Sequence, residues 1–141
     1  MTYFADLDIY TYSPLPEDGK QTLCVGWLDA AHGFPQGKTP ERFRDVLARL
    51  CATERVAATR GLHQCNLSPR CAERPPWPPI AVTVEGRETF LGSAEIRASA
   101  DGVVYAAPDL IVHYVNEHDY RPPDEFVRAV LRSAEHPRLA T

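Results

Sequence analysis

Apolar residues Phe43, Val46, Leu47, Leu50 and Cys51 recur at i, i+3, i+4, i+7 and i+8, the stripe of an amphipathic helix. Thr39 suits an N-cap, Pro40 the first helical position and Glu41 the positive helix end. The spacing therefore predicts a helix over 40–53. A second stripe, Phe126, Val127, Val130, Leu131 and Ala134, follows Pro122-Pro123-Asp124-Glu125 and stops before Pro137, which predicts a final helix. Between them lies a segment with two readings. Leu110, Ile111, Tyr114, Val115 and His118 share a helical face, while Leu110, Val112 and Tyr114 also alternate as a strand would.

Elsewhere the period is two. Residues 3–12 alternate weakly, as an edge strand would, and Ser13–Gly19 reads as a turn. Thr22–Leu28 reads as a strand with Asp29 at its end, and 30–38 as a Gly/Pro loop. Ile80–Val84 alternates, Glu85-Gly86-Arg87 turns, and Phe90–Ser99 forms a further strand. Asp101-Gly102 is a two-residue hairpin signal that returns through Val103–Ala106. Residues 54–79 show no sustained period, and a loop of that length in a compact domain is usually functional, disordered or organised by a metal. Strands and helices do not alternate along the chain, so the expectation is one α+β domain over 1–141. It has a small antiparallel sheet, about three helices and a metal-organised central loop.

Composition narrows the partners. A chain of 141 residues, 44% hydrophobic and 24% charged, can build a core without a metal. Net charge is −4 and Lys/Arg form no run, which disfavours nucleic acid. No apolar run approaches the length of a membrane span. The first residues lack the basic region of an export signal. A cytoplasmic location follows as the expectation, with the four cysteines reduced or metal-bound.

The candidate chemistry lies in Arg60-Gly61-Leu62-His63-Gln64-Cys65-Asn66-Leu67-Ser68-Pro69-Arg70-Cys71. One imidazole and two thiols within nine residues are the soft donors that Zn²⁺ takes in tetrahedral sites. His63, Cys65 and Cys71 leave one position to fill. His113 is the candidate, because a histidine in an apolar segment needs partners for its ring nitrogens. Glu117, four residues on, could orient that ring. The alternative is a surface histidine, two buried thiols and a core histidine. Cys24 and Cys51 read as small core hydrophobes.

Three further residues could move protons. Glu95 shares a strand face with Arg97 and could serve a zinc-bound water as base; a strand ion pair is the plainer reading. Asp29 and His32 could act as an acid/base pair, or cap a turn. Ser93 has no nucleophile elbow around it, and no dinucleotide or phosphate-binding glycine loop occurs. Pro75-Pro76-Trp77-Pro78-Pro79 reads as a stiff connector whose indole packs on the sheet, or as a polyproline ligand.

Several segments together, Gly26-Trp27-Leu28-Asp29, Gly61-Leu62-His63-Gln64-Cys65, Gly92-Ser93-Ala94-Glu95-Ile96-Arg97 and Tyr105–Val115, resemble an uncharacterised family of small bacterial proteins. The similarity spans most of the chain and includes Tyr120–Phe126. Members resemble one another around a G-x-H-x-C-x-x-C core. Here Ser68 stands where the second cysteine would fall, and Cys71 follows three residues later. The resemblance implies a metal site and carries no activity. Two functions therefore stand side by side. One is a zinc-stapled accessory or binding module for an unidentified protein or small molecule. The other is a small zinc enzyme of hydrolase, lyase or cyclase type using Glu95, Asp29 or His32.

Overall fold

A computed structural model describes residues 3–10, 21–56 and 63–135. The turn expected at Ser13–Gly19, the Arg60-Gly61-Leu62 start of the His/Cys segment and the Pro137 stop lie outside these residues. The fold is α+β, with four helices and five strands among the described residues.

The centre of the main sheet is β5 (Val103–Pro108). It pairs antiparallel with β4 (Glu95–Ala100) through the expected Asp101-Gly102 turn, and parallel with β1 (Gln21–Cys24). The β4–β5 pairing, and that of Ala81–Val84 with Arg87–Phe90, are antiparallel as expected, and the parallel β1 pairing makes the main sheet mixed. Strand polarity cannot be read from alternation, because parallel and antiparallel strands share the same period of two. The expected 90–99 strand is divided. Arg87–Phe90 is β3, paired with β2 (Ala81–Val84) in a separate hairpin, and Gly92, at φ 111°, breaks the run before β4.

Alternation along β5 gives the sheet two apolar faces. Tyr105 and Ala107 face the main core with Ile96, Leu110, Ile111, Val112, Phe126 and Val130. Ala106 faces a smaller cluster with Tyr10, Cys24 and Trp27. The Trp27 indole donates to the Ala106 carbonyl at 2.9 Å, and Phe4 and Tyr10 pack against its ring. Helix α1 (Glu41–Thr53) buries Phe43, Val46, Leu47 and Cys51, the predicted stripe with Leu50 at its margin. Its N-cap is Pro40, one residue later than expected, and Thr39 instead accepts the Arg44 guanidinium. The ambiguous segment is helical: α3 (Ile111–His118) buries Ile111, Val112, Tyr114 and Val115 and ends at Asp119 in the left-handed conformation. Helix α4 (Asp124–Glu135) packs on α1 and β4.

Among the described residues Asp109 is the one buried charged residue, at the joint between β5 and α3. Its carboxylate accepts the Gly92 amide at 2.8 Å and the Arg55 guanidinium at 3.1 Å, and Arg55 also donates to Ser93. Burial raises the Asp109 pKa above the usual carboxylate value, against the opposing pull of these donors. Removing the carboxylate strands both donors, and breaking such a pair typically costs about 3–5 kcal/mol. Asp109→Ala should therefore lower Tm by about 10 °C in a thermal melt. Asp109→Asn, which keeps one acceptor oxygen, should lose less.

Candidate metal centre

The cysteine loop is built by local polar contacts. Ser68 caps a one-turn helix, α2 (Pro69–Ala72), by accepting the Cys71 amide at 3.2 Å, and Pro69 supplies the first helical position. Ser68 therefore acts as a cap, and the turn it closes brings Cys71 back toward Cys65. Asn66 ties the loop to the turn after Trp27. Its side chain donates to Asp29 at 2.9 Å and accepts the Ala30 amide at 3.1 Å. The backbone of His63 is fixed against Gly92, with His63 N–H donating to the Gly92 carbonyl at 2.7 Å. A Cβ at position 92 would collide with the His63 carbonyl oxygen, so glycine is required there both for its φ of 111° and for space.

Helix α3 brings the imidazoles. Its apolar face is sunk in the core, which leaves His113 and His118 half-buried toward the loop. Their ring centroids lie 5.0 Å apart. Two sulfurs and two ring nitrogens converge: Cys65, Cys71, His113 and His118 each offer a ligand atom, all within 4.8 Å of one another. Cys65 Sγ lies 3.3 Å from His118 Nε2, and Cys71 Sγ lies 3.6 Å from both His113 Nε2 and His118 Nε2. Tetrahedral zinc, with its usual bond lengths to sulfur and nitrogen, separates such atoms by about 3.6 Å. A thiol has one proton and can serve only one of the two nitrogens beside Cys71. A cation satisfies both at once.

Electrostatics favour the uncharged forms of Cys65, His113 and His118. Burial pushes the Cys65 thiol up to about 12, so without a cation it stays protonated. The Leu67 amide points at the Cys65 sulfur, 3.5 Å away, and offsets part of that penalty. Burial lowers His113 to about 4 and also depresses His118, where Glu117 and Asp119 oppose it. Both rings are therefore neutral, as ligation requires. A divalent ion with two thiolates and two neutral imidazoles carries no net charge, which limits the cost of burying it.

Of the residues expected at the metal, the structure brings together Cys65, Cys71 and His113. His118 completes the group, and His63 stands outside it. His63 Nε2 is buried without a hydrogen-bond partner, and the residue lines a cavity of about 20 Å³ that Cys65 and Cys71 also border. Sequence spacing missed His118 because it lies five residues from His113, away from the i+3 and i+4 neighbours of a helix face. The available signal was two histidines on one short helix.

The three acid/base candidates are engaged elsewhere. Both Glu95 carboxylate oxygens accept Tyr10 Oη, at 2.8 and 2.9 Å, and Oε1 also meets Arg97 at 2.8 Å. Asp29 caps its own turn through the Ala31 amide and holds Asn66. His32 stacks on Tyr3 at 3.8 Å. Glu117 touches the site through the charge it places near His118. Cys24 and Cys51 are free and fully buried in the core.

Residues 2–131 match the family DUF7919, a domain of unknown function, and the chain belongs to that family. No curated protein and no solved structure matches it. No described helix is long and apolar enough to cross a membrane.

Acid should loosen this site. His63 and His113 are both lowered by burial to about 4 from an ordinary 6.5. Between those values the unfolded chain binds protons that the folded chain refuses, so their contribution is intact above pH 6.5 and is lost as pH falls toward 4. Asp6 and Asp109, raised by burial, have the opposite sign and act between the ordinary carboxylate value and their raised folded values. Thermal melts of metal-free protein should show Tm falling from pH 7 to pH 5. His63→Phe, which removes one of the three rings that burial depresses, should flatten that slope.

Proposed function

We propose that this chain is a zinc-binding accessory or binding module of the cytoplasm, in which one structural Zn²⁺ held by Cys65, Cys71, His113 and His118 staples the 63–80 segment onto α3. The observation that carries this reading is the convergence of four soft donors, with sulfur–nitrogen separations of 3.3–3.6 Å. Two sulfurs and two imidazoles are a ligand set suited to Zn²⁺, and a reducing compartment would keep both thiols available. Four protein donors fill a tetrahedral ion, whereas a catalytic zinc keeps a position open. The engagement of Glu95 with Tyr10 and Arg97 also favours the structural role over a hydrolase, lyase or cyclase.

The main core is built from apolar side chains of the sheet and helices, with Cys65 among them and Cys71 packed against it, so the metal should add stability to a chain that already folds. Native mass spectrometry of freshly purified protein should show one zinc per chain, and a chelator should lower Tm by about 10 °C, the shift expected from about 4 kcal/mol of ligand stabilisation. Cys65→Ser, Cys71→Ser and His118→Ala should each lose the metal, and His63→Ala should keep it. A purely apo mass together with a melting curve indifferent to chelator would overturn the proposal.

A further inference from the structure

A second feature lies on the far side of the proline-rich segment. A groove of about 690 Å³ opens between the end of α1, which contributes Arg49 and Thr53, and the β2–β3 hairpin, which contributes Arg87 and Phe90; Arg55, Ser93 and Trp77 also line it. Its volume falls in the range of small-molecule sites. Trp77 is 67% exposed and Phe90 39% exposed. The two rings meet edge to face at 5.3 Å, an arrangement that leaves the rings available for stacking. The connector expected to press its indole onto the sheet therefore presents it at the wall of a groove.

Arg55 supplies a fixed cation. Its side chain is only 28% exposed, and Asp109 and Ser93 hold it through Nε and Nη2. A guanidinium has five donor hydrogens in a rigid fork, and these contacts use Nε and Nη2, not Nη1. Arg49 adds a second cation from the helix side. Glu85 and Glu88 line the hairpin side with Arg87, which disfavours a polyanion; with Arg55 paired to Asp109, Arg49 is the cation that this end adds.

We propose that this groove binds a small planar aromatic compound bearing a single carboxylate or phosphate group, with its ring against Trp77 and Phe90 and its anionic group at Arg55 and Arg49. Ring stacking on an indole and charge-assisted hydrogen bonds to a guanidinium reinforce one another, and neither needs a precise ligand outline. The proposal does not depend on the zinc reading.

The test uses the two tryptophans as probe and control, since Trp27 is only 3% exposed. Benzoate and AMP are titrated into ¹⁵N-labelled full-length protein. At least one should shift the Trp77 indole resonance saturably, with Kd below about 1 mM, and leave that of Trp27 in place. Which of them binds distinguishes a carboxylate from a phosphate ligand. Benzyl alcohol, adenosine and inorganic phosphate, each lacking the ring or the charge, should bind at least about tenfold more weakly. Exposed Arg49→Ala should weaken binding about fivefold with Tm unchanged, and Trp77→Ala should abolish the shifts at Thr53 and Phe90. Failure of both anions to saturate at millimolar concentration, or equal binding of the uncharged rings, would overturn the proposal.

Discussion

The buried carboxylate of Asp109 is the constraint on which the site geometry rests. It lies where β5 hands the chain to α3, so it fixes the start of the helix that carries His113 and His118. By accepting the Gly92 amide it also fixes the strand break against which His63 docks, two residues before Cys65. The same group holds Arg55. One desolvated charge thus sets the positions of the helix, of the cysteine loop and of the fixed arginine. A buried charge tolerates little displacement, because each lost donor leaves part of its desolvation uncompensated.

The cysteine loop depends on polar contacts, not on a core of its own. Ser68, Asn66 and Asp29 shape it before any ion is considered. A loop arranged in this way presents its donors with little further loss of chain entropy when a cation arrives. The apolar side of α3 does the corresponding work for the imidazoles, because sinking Ile111, Val112, Tyr114 and Val115 anchors the helix that carries His113 and His118. The segment between Cys71 and Ile80 then leads from the metal centre to the wall of the groove, through Trp77 and Pro79.

What the sequence by itself determined were features governed by near neighbours. The α1 stripe, the α4 stripe and the Asp101-Gly102 turn follow from local periodicity and turn chemistry, and the soft donors of the 61–71 segment were visible as residue types. Tertiary structure decided what distant residues do together. It chose a helix over a strand for 111–118, set β1 parallel to β5, and divided the 90–99 run at Gly92. It brought His118 to the two sulfurs and left His63 beside them, while Glu95 went to Tyr10 and Arg97. The reason is physical: periodicity reports which side of an element avoids water, whereas a ligand set depends on where two such elements meet, and that meeting is fixed by core packing and by the buried charge at the joint between β5 and α3.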